Sequence, residues 1–351
     1  MRDPKVSPPV GGGGTVTPVQ HVTVVGAGSW GTTVASLVSA NGPARLWCRR
    51  REIAQEIGAR ATNEQYLPGF TLSPTLEAGH DLAAAVQGAG IVAMAVPSHV
   101  FRSVLAEVVP HLEAGVPVIS LSKGLEQGSH RRMSEIVGEL ARGHPVGVLT
   151  GPNLAREVLA GSPAAAVLAM SDVAAAERLV PVFAREHFRV YVGHDVVGSE
   201  LGGALKNVVA LAVGMAEGLG LADNSRAALI TRGLAELTRL GVAMGGEPAT
   251  FAGLAGLGDL LATCLSPQSR NHHVGVELGR GKTLTEITDA MQQVAEGVKT
   301  ARVVLELAAE YGLEMPITSE LCAVLDGDRD PEEAYRTLLG RSLRPEPEPF
   351  G

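Results

Sequence analysis

Short apolar runs alternate with amphipathic stretches over the first half of the chain: HVTVV, ARLWC, GIVAMAV, PVISLS, PVGVLT, PAAAVLAM and FRVYVG, between residue 21 and about residue 195. None alternates strictly between apolar and polar positions, so both faces of each predicted strand are covered, as in a parallel sheet wrapped by helices. The pattern predicts an α/β fold whose N-terminal domain, residues 21–196, is a Rossmann-type doubly wound parallel sheet. Beyond residue 197 the strand signals stop. SRAALITRGLAELTRL sets Leu229, Leu234, Leu237 and Leu240 at helical spacing, and Gly245-Gly246, Ser266-Pro267 and Gly279-Arg280-Gly281 punctuate the rest. An all-helical C-terminal domain over residues 197–341 is expected. Residues 1–20 and 342–351, rich in Gly and Pro, read as flexible tails.

Composition narrows the class. Of 351 residues 45% are hydrophobic and 19% charged, enough apolar material for two sizeable cores. A formal net charge of -8 argues against nucleic acid or an anionic membrane as the main partner, since both select a basic face. Any anionic ligand must therefore be held by local positive groups. No apolar stretch approaches the ~18 uninterrupted residues of a membrane span, and the N-terminus lacks the apolar core of an export signal. The expectation is a soluble, cytoplasmic protein. Cys48, Cys264 and Cys322, unpaired in spacing, fit a reducing compartment. His272 and His273 are adjacent and point to different sides of a helix, so no metal site is expected.

The sharpest local signal is VTVVGAGSWGTTV at residues 22–34, where Gly26, Gly28 and Gly31 form G-x-G-x-x-G between a strand and a helix. The first glycine serves the tight turn, the second the approach of backbone to a pyrophosphate, the third close helix–strand packing. The helix N-terminus adds positive potential. An NAD site places an Asp or Glu about 20 residues on, at the end of the second strand. Here Cys48-Arg49-Arg50-Arg51 stands instead, which pairs better with a 2′-phosphate and leans towards NADP(H), although Glu52 lies close by.

LGGALKNVVALAVGMA, residues 201–216, holds a single ionisable side chain, Lys206. On a helix it projects from a stripe formed by Gly202, Gly203, Val209, Ala210 and Val213. Burial lowers an amine's pKa towards the range useful for proton transfer; alternatively, the lysine reaches solvent or pairs with Glu200 or Glu217. Ser269, Arg270 and Asn271 fall at the first turn of a helix after Ser266-Pro267, suited to an anion or simply to capping by Ser269. Asp259 follows a glycine-rich turn at an N-cap position, with Thr263 one turn on. Lys123 follows a strand at the sheet edge where doubly wound folds bind ligands. Three cations, Lys123, Lys206 and Arg270, are expected to converge on an anionic substrate.

Together GAGSWG, LSKGLE, GGALKNVVA, NSRAALITRGLAE, AGLGDLLATC and QSRN, in this order and separation, resemble the bacterial-type NAD(P)-dependent glycerol-3-phosphate dehydrogenases over residues 20–341. The resemblance implies reversible reduction of dihydroxyacetone phosphate to sn-glycerol 3-phosphate for phospholipid synthesis, with NADP(H) preferred and NAD(H) accepted. It implies that Ser29, Trp30, Arg49 and Arg50 contact the cofactor and that Ala155, Val294 and Glu296 close around it. Lys206 would be the general acid and base, with Asp259 orienting or tuning it and Lys123 the third catalytic residue. Lys123, Gly151, Asp259, Ser269, Arg270 and Asn271 would surround the substrate, with Lys123 and Arg270 also near the cofactor and Asn207 and Thr263 lining the pocket. In GPNLARE, Asn153 stands where the family usually carries a small hydroxyl residue, so its substrate contact is the one departure. A β-hydroxyacid dehydrogenase would place an asparagine four residues after its lysine, where Ala210 stands here. A cofactor-binding redox sensor would not need the whole set Lys123, Lys206, Asp259 and Arg270. Helical second domains of this kind expose apolar faces, so a homodimer is expected.

Overall fold

The computed structural model describes residues 21–291 and 296–340. The two expected tails and Val294 lie outside the described residues.

Eight strands form one sheet: β1 (Val22–Val25), β2 (Ala44–Trp47), β3 (Glu77–Gly79), β4 (Ile91–Met94), β5 (Val118–Ser120), β6 (Val146–Thr150), β7 (Ala164–Met170) and β8 (Phe188–Gly193). Their order is β3-β2-β1-β4-β5-β6-β7-β8, and every neighbouring pair through β6 is parallel. Successive side chains face opposite ways, and both ways are buried. Val22, Val24, Leu46 and Ile119 enter one core; Val25, Trp47, Val92 and Val118 enter the other. That double burial is why these strands read as continuous apolar runs.

Two features differ from the expectation of a wholly parallel sheet of seven strands. β7 pairs antiparallel with β6, and β8 follows β7 in parallel. The connection between β6 and β7 carries only the short helix Ala155–Leu159, which packs against the helix Ser29–Ser39. β3, reading Glu-Ala-Gly, is short and half exposed, so it carries no apolar run.

The chain reverses order between β1 and β4, which opens a crevice at the carboxyl ends of those strands. The second half is helical throughout its described residues. Its axis is the helix Val196–Gly218, started by Asp195, whose side chain accepts from Gly198 N–H at 2.8 Å. Every residue from Gly198 to Ala216 is buried. This helix is long and apolar enough to cross a membrane, but 89% of its most apolar window is buried inside the protein, the setting of a core helix. It crosses the helix Arg270–Gly279 at backbone distance. A Cβ on Gly214 would lie 2.1 Å from the His272 carbonyl oxygen, and one on Gly275 would lie 2.1 Å from that of Leu211. Gly218 and Gly279 repeat the arrangement one turn on. The first turn of Arg270–Gly279 is thereby set against the Lys206 helix.

Candidate active site

The glycine loop sits at the mouth of the crevice. Gly26 has φ +117°, and a Cβ there would meet the Ala95 carbonyl oxygen at 2.7 Å, at the end of β4. A Cβ on Gly31 would overlap the Gly26 carbonyl oxygen at 2.0 Å. Internal packing therefore accounts for both glycines. It does not account for Gly28: a Cβ there has no atom within 4 Å, so the bare backbone faces open space. The helix Ser29–Ser39 begins at Gly28 with no side-chain cap and no acidic residue in its first turn. Uncapped N–H groups and the positive helix end suit the pyrophosphate of a dinucleotide.

A loop that sequence reasoning passed over braces this corner. Asn63, fully buried, donates to the Ala27 carbonyl at 3.1 Å and to the Thr32 hydroxyl at 2.9 Å. Ser29 donates to the Tyr66 carbonyl at 3.0 Å, and Arg50 donates to the Tyr66 hydroxyl at 3.2 Å with its guanidinium over the ring. No apolar periodicity marks Asn63 or Tyr66; their role exists only once the loop folds back. Arg49 is exposed at the end of β2, on the rim of the same crevice. Trp30 packs edge-on against Phe188, with its indole N–H buried and unpartnered. Ala155 approaches the same helix, its carbonyl accepting from Thr33 at 3.3 Å.

Deeper in the crevice the two halves of the chain meet through one carboxylate. Asp259 Oδ2 lies 2.6 Å from Lys123 Nζ and Asp259 Oδ1 lies 2.9 Å from Lys206 Nζ. Lys123 comes from the loop after β5 and also donates to the Gly151 carbonyl at 3.0 Å. Lys206 also donates to Thr263 Oγ1 at 2.5 Å, and Thr263 donates to the Asp259 carbonyl at 2.6 Å. Lys206, Asp259 and Thr263 are all buried. Gly203 faces the same spot: a Cβ there would stand 3.1 Å from the Thr150 hydroxyl and 3.4 Å from Lys123 Cγ. Burial pushes the Lys123 ammonium down to about 8, opposed by Asp259 and reinforced by the neighbouring Lys206 charge.

Several expectations change in detail. Asp259 is not an N-cap. A π-helical turn, Leu254–Gly258, runs straight into the helix Asp259–Leu265, so its carboxylate is available to the lysines. Glu200 and Glu217 do not pair with Lys206; Glu200 binds Arg132, and Glu217 binds Arg226 and His272. Ser269 does cap its helix, accepting from His272 N–H at 3.2 Å.

Arg270 and Asn271 open that helix beside the lysines. Asn271 Oδ1 accepts from Gly297 N–H at 2.9 Å, which fixes the start of the helix Glu296–Glu310 and leaves the amide NH2 as the donor face. Glu296 is raised above the usual carboxylate range by burial, with Arg270, Lys206 and Lys123 pulling it back. Asn207 is buried on the core helix. Asn153 has both amide atoms buried without a partner, as has the Thr150 hydroxyl at the end of β6. Such orphaned groups need a partner, which a water or a ligand would supply. Among the described residues no group of three His, Cys, Asp or Glu is placed to hold a metal ion.

This arrangement combines an open glycine turn at an uncapped helix start with two lysines on one buried carboxylate, chemistry that suits a dinucleotide and an anionic substrate. Comparison with known proteins points the same way. Residues 21–176 match the family profile described as NAD-dependent glycerol-3-phosphate dehydrogenase N-terminus, and residues 195–336 match the corresponding C-terminus. The chain is 55% identical over 328 residues to glycerol-3-phosphate dehydrogenase [NAD(P)+] 2 of Sphingopyxis alaskensis, covering 93% of this chain and 98% of the relative. It is 54% identical to glycerol-3-phosphate dehydrogenase [NAD(P)+] of Mycobacterium avium, covering 91% and 94%. Among solved structures it resembles glycerol-3-phosphate dehydrogenase from Coxiella burnetii, with TM-score 0.88, 38% identity and coverage of 92% and 99%. Ketopantoate reductase from Ralstonia eutropha, at 18% identity and TM-score 0.58, shares the fold alone.

Proposed function

The chain belongs to the NAD-dependent glycerol-3-phosphate dehydrogenase family, and from that premise we propose how its crevice carries the reaction. The protein is an NAD(P)-dependent oxidoreductase that reduces dihydroxyacetone phosphate reversibly to sn-glycerol 3-phosphate for phospholipid synthesis. The observation that carries our reading of the site is the shared Asp259 carboxylate, which joins Lys123 of the sheet half to Lys206 of the helical half.

Gly28 and the uncapped start of Ser29–Ser39 take the pyrophosphate, with Ser29 and Trp30 beside it. Arg49 and Arg50 take the 2′-phosphate and set a preference for NADP(H) over NAD(H). Ala155 and Glu296 close around the cofactor. When bound, the nicotinamide supplies the hydride for reduction and accepts it in the reverse direction.

The Lys206 ammonium has three N–H groups; Asp259 and Thr263 engage two, leaving the third for the substrate's carbonyl oxygen. It stabilises the developing alkoxide and delivers its proton there. Arg270, Asn271 and the first turn that Ser269 caps hold the phosphate, so binding energy far from the reacting carbon fixes its orientation. Lys123, with Gly151 and Asn153 on the opposite wall and Asn207 beside Lys206, completes the enclosure.

We assign residues 21–196 to the cofactor unit and 197–341 to the catalytic unit; the end of β8 at Gly193 and the Asp195 cap support that division. We also propose a cytoplasmic homodimer, supported by three buried free cysteines and by exposed Leu265 and Leu339 on the helical half. The decisive experiment follows NADPH and NADH oxidation with dihydroxyacetone phosphate, with Lys206→Ala alongside. The expected result is turnover that collapses in the variant while NADPH still binds. Near-normal turnover by Lys206→Ala would remove Lys206 from the mechanism.

A further inference from the structure

Lys123 reaches Asp259 from a segment that continues directly into a closed hairpin. Leu125 and Arg132 form a β-bridge, Glu126 N–H donates to the Arg131 carbonyl at 2.9 Å, and His130 N–H donates to the Glu126 carbonyl at 3.0 Å. Arg102 grips the Glu126 carboxylate through Nε and Nη2 at 2.7 and 2.8 Å. The hairpin is therefore stiff, and whatever holds one end holds Lys123.

Its returning strand, which lies opposite Leu125, is fastened to the helix that carries Lys206. Arg132 Nη1 donates to Glu200 Oε2 at 2.9 Å, Ser134 N–H donates to Glu200 Oε1 at 2.8 Å, and the Ser134 hydroxyl donates to Oε2. The Arg132 and Glu200 side chains are only 14% and 4% exposed. A carboxylate that takes three donors in such a setting is strongly directional. Leu125, next to Lys123's neighbour Gly124, packs into the helical core itself. Glu200 stands about 9 Å from Lys206 along the helix axis, at 1.5 Å per residue.

We propose that Arg132 is a positioning residue for the reaction: its buried pair with Glu200 fixes the hairpin against the Lys206 helix, and so holds both lysine ammonium groups on the two oxygens of Asp259. The inference rests on the reaction assigned above. Neither Arg132 nor Glu200 touches the reacting atoms. Their part is to join the two halves of the chain close to the carboxylate that both lysines share, where a misplacement of about 1 Å costs on the order of a hundredfold in rate.

The charged groups that face Lys123 are Asp259, Lys206 and Glu296, and loosening the hairpin admits water among them. Because desolvation outweighs the hold of Asp259 on this ammonium, rehydration then moves the Lys123 titration upward from about 8, and the alkaline limb of kcat/KM moves with it. A purely structural contact would change the melting temperature and leave that limb alone.

The test compares Arg132→Met, Arg132→Lys and Ser134→Ala with the unaltered full chain, each below its melting temperature. Measured are kcat, KM for dihydroxyacetone phosphate, the pH profile, and NADPH affinity by fluorescence. Arg132→Met is expected to lose about tenfold or more in kcat and to raise the alkaline limb by about half a unit or more. Arg132→Lys recovers part of both effects, and NADPH affinity stays within about twofold. Should Arg132→Met not fold, Ser134→Ala, which keeps the ion pair and removes one donor, is read for the same shift in the same direction. Folded variants that melt earlier yet keep kcat and the limb in place overturn the positioning role. Failure of the unaltered chain to turn over would instead strike the assigned reaction.

Discussion

Thr263 holds its hydroxyl 2.5 Å from the Lys206 ammonium while giving its own proton to the Asp259 carbonyl oxygen, 2.6 Å away. The hydroxyl is thus committed as an acceptor towards Lys206, and it aims the ammonium. Thr263→Val keeps the shape and leaves one buried N–H unpaired, an effect of roughly 1–3 kcal/mol. The expected outcome is a fall in kcat of about 10- to 100-fold, with Thr263→Ser within about threefold of the parent. Steady-state kinetics decide it: full turnover by the valine variant would mean that the ammonium needs no such aiming.

Cofactor choice divides between two adjacent arginines with different surroundings. Arg49 is exposed on the crevice rim, whereas Arg50 is tied to Tyr66. Arg49→Ala is expected to lower kcat/KM for NADPH by about 10- to 100-fold and to leave NADH within about threefold, the loss of charge-assisted bonds to a phosphate. Arg50→Ala, which also unfastens Tyr66, is expected to weaken both cofactors. Equal losses for both cofactors in Arg49→Ala would refute the assigned 2′-phosphate contact.

The pH dependence follows from Lys123. Burial sets its folded value at about 8, below the ordinary 10.5, so the ammonium discharges as pH rises through 8. Affinity for the anionic substrate is then expected to fall, with KM rising on the alkaline side. Stability runs the other way for this group. Between about 8 and 10.5 the unfolded chain binds the extra proton, so the Lys123 contribution to stability increases with pH. Lys123→Arg, which stays charged, should erase the alkaline rise in KM. Persistence of the rise in that variant would assign it to another group.

Gly28 separates folding from binding. Its φ of -71° and ψ of 178° suit any residue, and an added methyl meets nothing within 4 Å. Gly28→Ala should therefore melt within about 2 °C of the parent while NADPH affinity falls by about tenfold or more. Gly26→Ala, driven into the Ala95 carbonyl, should fail at the folding step instead. Unaltered NADPH binding by a folded Gly28→Ala protein would place the pyrophosphate elsewhere.

What the sequence made legible was local. Gly26, Gly28 and Gly31 announce themselves because strand, turn and helix are contiguous, and Lys206 stands out because nothing else on its helix face is charged. The Ser269 cap was readable for the same reason. A link between Asp259 and Lys206 was an expectation, but its sharing with Lys123 was not: Asp259 and Lys123 lie far apart in the chain, and their pairing depends on how the helical half docks onto the sheet. The π-helical turn that leaves Asp259 uncommitted has no sequence signature beyond its glycines. β3 escaped notice because an exposed Glu-Ala-Gly strand carries no apolar signal, and the reversal at β7 escaped because an apolar run reads the same in either strand direction.

Backbone touches backbone where Gly214 and Gly218 cross Gly275 and Gly279. Most helix pairs are separated by a layer of side chains that can change rotamer and absorb slack; at these four glycines no such layer intervenes. The spacing between the Lys206 helix and the helix proposed to hold the phosphate is therefore set by the main chain. On the proposed reading, a substrate of different length would have to be accommodated away from this crossing, because the two main chains there have no room to approach further.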